Sequence, residues 1–297
     1  MSISRQNLTV VIVSFMSEHV IESCIDSIPS DIEIIVVDNS GDLVFKKKIE
    51  EKYKNVKCIL SKTNTGMGSG NNLGLKNINT DFGFVLNPDV VLEKNTIDEL
   101  IHAANEINNF AILAPLINSN QNLNYKLFKN SRIEKQDNNP FIVKSVDGFA
   151  MLLNLKKIKN LKNFPNNNFF DENIFLYLEN DDLCKRLIDD NQNIYIVPKS
   201  KINHLGASAV NKKYKKEVEL LRNWHWIWSK FYFNKKHNGY LIAIIDGLPT
   251  FLSAIFKFLL YFLLNDKNKR QIYFHRSNGY ISALIGRKSY LRPKIKH

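Results

Sequence analysis

A chain of 297 residues, 44% hydrophobic and 24% charged, has the composition of a folded globular protein with one large domain or a domain plus an appendage. Three scattered cysteines, Cys24, Cys58 and Cys184, argue against a disulfide framework or a zinc motif and fit a reducing compartment. The net charge of +12 is unevenly placed: residues 1–198 hold 21 Lys/Arg and 25 Asp/Glu, residues 199–297 hold 20 Lys/Arg and 4 Asp/Glu. The basicity therefore belongs to the last third, whose apolar content favours an anionic membrane surface over nucleic acid. No basic segment followed by an apolar run opens the chain, so no signal peptide is expected.

Residues 8–15 form a near-continuous, β-branched apolar run, as a buried parallel strand requires. Apolar residues at helical spacing follow over 17–28, and a second buried strand is expected over 32–37, ending at Asp38. Together they make a βαβ unit with a right-handed crossover. Asp38 stands at a strand's C-terminal end, where it could hold a nucleobase or ribose or simply serve a turn. A third strand is expected over 56–60. The following stretch, 64–74, holds four glycines in nine residues, which permits close backbone approach to a ligand. It matches neither a Walker A loop nor a GxGxxG fingerprint. A helix over 70–76 would place Asn71 and Asn72 at its N-terminus.

The stretch around which the rest is arranged is Asn87-Pro88-Asp89, closing the apolar run 82–86. Proline cannot continue the strand ladder. The flanking amide and carboxylate then lie at the sheet edge where ligands bind in open α/β folds. Such oxygens suit a hard divalent cation, Mg²⁺ or Mn²⁺. An amphipathic helix over 96–107 and a strand over 111–117 come next. Polar, Asn-rich residues 118–140 read as a long loop, and residues 144–153 hold a strand preceded by Asp147-Gly148. Glu179, Asp181 and Asp182 crowd three carboxylates into four residues, an arrangement that a cation, a catalytic task or a helix N-terminus can offset. The helix is expected over 182–189. A last strand at 195–197 leads to His204, a metal ligand, a phosphate donor or a structural histidine.

The tail begins with the basic run 212–216 and an aromatic-rich helix over 220–233. Residues 239–264 are strongly apolar but interrupted by Asp246, Pro249 and Lys257, which makes a clean span marginal. Basic flanks at 212–216 and 267–270 suit helices lying in an anionic leaflet. A helix hairpin on the catalytic domain or a dimer interface is the alternative.

In order and spacing, VVIVSF, IIVVDNS, NTGMGSGNNLG, FVLNPDV, DGFAMLL, FDENIFLYLENDDLCKR and HLGAS resemble family 2 glycosyltransferases, especially the rhamnosyltransferase-like branch that builds bacterial surface polysaccharides. The likeness covers residues 8–208, roughly two thirds of the chain. It implies a GT-A, Rossmann-like α/β fold: a mixed, mostly parallel sheet flanked by helices. Residues 1–210 would be the catalytic domain, and 211–297 a helical, membrane-associating extension. It further implies a nucleotide-diphosphate sugar donor held by Ser14, Asp38, Asn64, Gly66, Gly70, Asn72, Asn87, Asp147 and Gly148. A divalent cation would sit on Asp89 and His204, with Asn87 standing where an aspartate is commoner. The family's acidic motif supplies a catalytic base, here divided among Glu179, Asp181 and Asp182 because its second position is Asn180.

The implied activity is inverting transfer to a lipid-linked or glycan acceptor, by a protein peripheral on the inner face of the cell membrane. Homodimerisation is compatible with the tail. A nucleotide-binding oxidoreductase would need glycines after the first strand, where Phe15-Met16-Ser17 stand instead. A nucleic-acid-binding tail would be less apolar, and no nucleic-acid partner is expected. An inactive glycosyltransferase-like scaffold is the remaining alternative, kept open by Asn180.

Overall fold

The computed structural model describes residues 3–107, 109–118, 123–129, 138–206, 210 and 212–293. The chain divides into two compact units, Met1–Asp171 with Asn180–Asn211, and Glu172–Glu179 with Lys212–His297.

The first unit is a mixed α/β sheet. In chain order it contains β1 (Leu8–Ser14), α1 (Ile21–Asp26), β2 (Glu33–Asp38), α2 (Leu43–Lys52), β3 (Val56–Leu60), α3 (Met67–Lys76) and β4 (Phe82–Leu86). There follow β5 (Val90–Leu92), α4 (Thr96–Ile107), β6 (Ile112–Ile117), β7 (Tyr125–Lys126), β8 (Phe141–Ile142), β9 (Ser145–Val146) and β10 (Ala150–Asn154). It closes with α5 (Leu155–Ile158), α6 (Glu179–Asp189), whose first residue is grouped with the second unit, and β11 (Ile194–His204). The main sheet has the order β3-β2-β1-β4-β10-β6-β11-β5, with β8 also on β11, while β7 and β9 form a separate pair. β1, β2, β3, β4, β6 and β11 run in one direction, and β5, β8 and β10 run against them.

Successive strand residues point to opposite faces, and both faces are covered. Val10, Ile12, Ile34, Val36 and Phe84 pack with α1, α2 and α4 residues such as Ile21, Phe45 and Leu100. Val11, Val13, Val37 and Val85 pack instead with Leu75, Leu155, Leu183 and Leu187 from α3, α5 and α6. Helix α3 lies close on β1 because its glycines carry no side chain there; a Cβ on Gly74 would overlap the Val11 methyl.

Several elements differ from the sequence-based expectations. α1 is confined to Ile21–Asp26, because Ser17 to Val20 form a turn. α3 begins at Met67 rather than at residue 70, so Asn71 and Asn72 lie inside the helix. α6 likewise starts at Glu179, not 182, which places all three carboxylates in its opening turns. The strand expected over 144–153 is two strands, with Asp147-Gly148 between them. α2, β5 and β8 have no counterpart among those expectations, and β7 lies inside the expected loop 118–140. Residues 119–122 and 130–137 of that loop are outside the described residues.

The second unit contains α7 (Lys215–Asn238), α8 (Tyr240–Leu263) and α9 (Lys267–Leu284). Trp224, Trp228, Phe231, Ala243, Tyr280 and Ala283 form its core. Gly239, at φ 92°, joins α7 to α8 in a backbone conformation that L side chains avoid. Among the described residues, α8 is the one helix long and apolar enough to cross a membrane by length and composition.

Candidate active site

The sheet directs a set of polar residues to one edge. β4 stops at Leu86, and Asn87 begins a tight turn in which the Val90 N–H donates to Asn87 O at 3.2 Å. The Asn87 N–H donates to Phe149 O (2.9 Å), which joins the turn to the start of β10. After the turn, β5 pairs antiparallel with β11, placing His204 opposite Val90. This register brings His204 Nε2 to 3.4 Å from Asp89 Oδ1. The His204 ring packs on Phe149, with ring centroids 4.2 Å apart. Asp89 is 2% exposed. Two residues earlier, Asn87 Oδ1 is buried and finds no hydrogen-bond partner among the described residues.

A buried carbonyl oxygen left unbonded is unfavourable unless a ligand or water completes it. Together with a buried carboxylate and an imidazole, it is a hard oxygen-and-nitrogen donor set with too few protein ligands to enclose an ion. Among the described residues no cluster of three His, Cys, Asp or Glu could hold a metal. Oxygen donors with one imidazole suit Mg²⁺ or Mn²⁺, which keep waters and take few protein ligands. The residues present therefore fit a divalent cation.

Asp147 and Gly148 lie beside this turn, two residues and one residue before Phe149. Burial holds the Asp147 carboxyl above the ordinary aspartate range; Lys126 and His204 oppose the shift, and Asp181 adds to it. A Cβ on Gly148 would come within 3.1 Å of Asn180 Cβ, so the glycine admits the start of α6. Asn180 Nδ2 donates to Val146 O at 2.8 Å. Asp181 receives Lys126 Nζ at 2.8 Å on Oδ1 and 3.0 Å on Oδ2. Asp182 is fully buried and accepts from Arg186 Nε at 2.8 Å. Arg186 also donates to the Asn163 and Phe169 carbonyls. Asp182 thus anchors α6 through Arg186, a structural position rather than one open to a substrate. Glu179 opens α6 and is grouped with the second unit.

At the ends of β1 and β2, Ser14 and Asp38 stand in register. Ser14 O accepts the Asn39 N–H. Both Asp38 oxygens accept bonds within their own turn, from the Ser40 N–H and hydroxyl and from the Asp42 N–H. Asn64 Oδ1 accepts the Gly66 N–H, and Gly66 O accepts from Asn39 Nδ2, so the glycine-rich segment is tied to the end of β2. Gly70 packs against Val13. Asn72 departs from the sequence expectation. It is fully buried, and its amide bonds the Phe170 N–H and carbonyl at 2.9 and 2.8 Å. It holds the turn at Phe170.

The structure therefore gathers Asn87, Asp89, Asp147, Gly148, Asp181 and His204, and a separate group of Ser14, Asp38, Asn64 and Gly66. Lys126 escaped the sequence reading because a single lysine in an aperiodic polar segment carries no pattern; only the β7–β9 pairing aims it at Asp181.

The chain belongs to glycosyl transferase family 2, whose model matches residues 9–175, more than half of it. The match ends before the carboxylates of α6. Over 204 residues the chain is 24% identical to the low-salt glycan biosynthesis hexosyltransferase Agl10 of Haloferax volcanii, covering 63% of this chain and 64% of that relative, short of two thirds of its length. In structure it is similar to GalNAc-T7 solved with UDP, GalNAc and Mn²⁺, with a TM-score of 0.54 at 15% identity over 80% of this chain and 56% of that one. It is also similar to S. aureus TarS 1-349, with a TM-score of 0.50 at 17% identity over 94% and 92%. At these identities the structural likenesses speak for the fold, which is that of GT-A glycosyltransferases with an added C-terminal helical extension.

Proposed function

We propose that the chain is an inverting, cation-assisted hexosyltransferase that moves a sugar from a nucleotide diphosphate to a lipid-linked or glycan acceptor. The observation that supports this most is the Asp89–His204 pair, with Asn87, whose side-chain oxygen is buried and unbonded, two residues before Asp89 where β4 ends. Asp89, His204 and Asn87 would hold Mg²⁺ or Mn²⁺, which when bound would neutralise charge developing on the departing diphosphate. The ends of β1 and β2 with the segment from Asn64 to Gly66 would receive the nucleoside. A carboxylate on this edge takes the acceptor's proton, and the acceptor oxygen attacks the anomeric carbon opposite the diphosphate. Family membership supports a nucleotide-sugar donor, and the hexosyltransferase named among the relatives supports a hexose. The rhamnosyltransferase-like sequence pattern makes dTDP-rhamnose the first donor to try.

The second unit fits a peripheral membrane role. Leu241, Ile245, Leu248, Leu252, Phe256, Leu259 and Leu263 form one exposed stripe along α8 at helical spacing. The opposite side is tied to polar helices: Asp246 pairs with Lys230 and accepts from Asn234 of α7. A helix so bound is suited to lying along a bilayer surface, with the surrounding lysines and arginines on anionic headgroups.

Calorimetry with UDP, GDP and dTDP, each with and without Mn²⁺, tests the reading. One nucleotide binds tightly only with the cation, and Asp89→Ala weakens it by about a hundredfold or more (~2.7 kcal/mol). Binding of none by the folded protein removes the proposal.

A further inference from the structure

The carboxylates at this edge are not equivalent. Asp89 faces His204. Asp182 is sealed in its pair with Arg186. Asp181 is held on both oxygens by Lys126. Asn180, between the acids of α6, has no basic atom, and its amide is turned to the Val146 carbonyl.

Asp147 has a different environment. Its backbone N–H is bonded to Asn124 O at 2.9 Å, whereas its carboxylate accepts no hydrogen bond from the described residues. It is only partly buried, so a ligand can reach it. Its place is fixed by well-made neighbours: Val146 in the β7–β9 pair and bonded to Asn180, Gly148 against Asn180, and Phe149 bonded to Asn87. The charged groups facing it are Lys126 on β7, Asp181 on α6 and His204 on β11. A positioned, accessible carboxylate with no competing donor has the properties a general base needs.

We propose that Asp147 is the general base of the transfer, an assignment that rests on the glycosyltransferase reading above. The acceptor hydroxyl gives its proton to an Asp147 carboxylate oxygen. The acceptor oxygen forms the new bond to the anomeric carbon. The bond from that carbon to the diphosphate oxygen breaks, and its electron pair leaves with the nucleoside diphosphate. Asp181, held by Lys126, is then a positioning residue beside the base.

The test uses the full chain with Mn²⁺ and UDP-glucose, GDP-mannose and dTDP-rhamnose, measuring nucleotide release with water as acceptor, beside calorimetric binding of the free nucleotide. Asp147→Asn keeps nucleotide affinity within about threefold but slows release about a hundredfold or more. Azide, a nucleophile with no proton to lose, restores release in this variant and yields the glycosyl azide, a rescue that a purely structural residue would not show. Release by Asp147→Asn within about threefold of the parent overturns the assignment, as does azide rescue of Glu179→Gln or Asp181→Asn instead. Those results leave the transferase reading standing. Absence of nucleotide binding in the parent chain, or binding with no release in either water or azide, overturns both.

Discussion

The two units distribute polarity in opposite senses. In the first, the strands are apolar on both faces and polar residues gather at their ends, among them Asn87, Asp89, Asp147 and His204. In the second, the long apolar residues of α8 face outward, and polar groups are buried and paired inside. Trp224 Nε1 donates to Asn278, Trp228 Nε1 donates to the Arg287 carbonyl, and His225 is fully buried. Water explains the first distribution: a sheet covered by helices leaves only its edges for ligands. It does not explain the second, where a long apolar stripe stays exposed, as surfaces that bind another apolar surface do. The contrast can be broken on either side.

The largest effect is expected in the first unit, at Arg186. Its guanidinium neutralises Asp182 inside the protein and ties two backbone carbonyls, those of Asn163 and Phe169. Arg186→Met leaves a buried carboxylate without its cation and should lower unfolding stability by about 3–5 kcal/mol. Replacing the pair together, Asp182→Leu with Arg186→Met, should recover much of that loss. Urea unfolding of the two variants measures it. If the single variant is as stable as the parent, the anchoring role of Asp182 is wrong, and its return to the catalytic candidates follows.

The second unit should respond to acid. Burial lowers the His225 pKa from 6.5 to about 4, with the nearby Arg292 charge acting in the same direction and the Leu291 carbonyl opposing. The neutral ring fits its site: Nε2–H donates to Leu291 O at 2.9 Å, and Nδ1 accepts from the Ser289 hydroxyl at 3.1 Å. Because the unfolded chain binds a proton more readily than the folded one, this contribution is complete above pH 6.5. It diminishes as pH falls and is lost through pH 4, amounting to about 3 kcal/mol. Thermal melts from pH 7 to 4 should show a steeper loss in the parent than in His225→Gln, which cannot titrate. Parallel curves would show that the ring does not stay neutral in the fold.

What could be read without coordinates follows the same division. Strands β1, β2 and β4 are legible because burial on both faces demands uninterrupted apolar runs. Asn87-Pro88-Asp89 is legible because proline marks where the run must end. Helix α2 escapes notice: Phe45 and Ile49 are its buried residues, among lysines and glutamates that do not form a broad stripe. The starts of α3 and α6 are misplaced because Gly66 and the acidic cluster look like loop chemistry, although each belongs to a helix beginning. The base role proposed for Asp147 is not legible, since the motif there implies donor binding instead. It depends on which carboxylates have been given cationic partners, and Lys126 and Arg186 reach theirs through tertiary pairing and helix register. In the tail, composition reveals apolar excess but not its direction, since Ala243 and Leu241, two positions apart, are buried and exposed respectively.

That direction is the basis of the smallest effect and the most discriminating one. On α8, Ile245 and Phe256 are exposed on the stripe, whereas Ala243 and Ala254 are buried. Ile245→Glu and Phe256→Glu together should leave the fold unchanged and reduce binding to vesicles of phosphatidylglycerol and phosphatidylcholine about ten- to a hundredfold, as removal of one or two apolar side chains from a lipid surface implies. Salt should weaken the parent's binding, because lysines and arginines carry the electrostatic part, but should not abolish it, because the stripe remains. If the parent ignores vesicles and sediments as a dimer that the double substitution dissociates, then the partner of this face is a second copy of the chain. If neither vesicle binding nor oligomeric state changes, the outward stripe has no solvent other than water, and the contrast between the two units loses its physical cause.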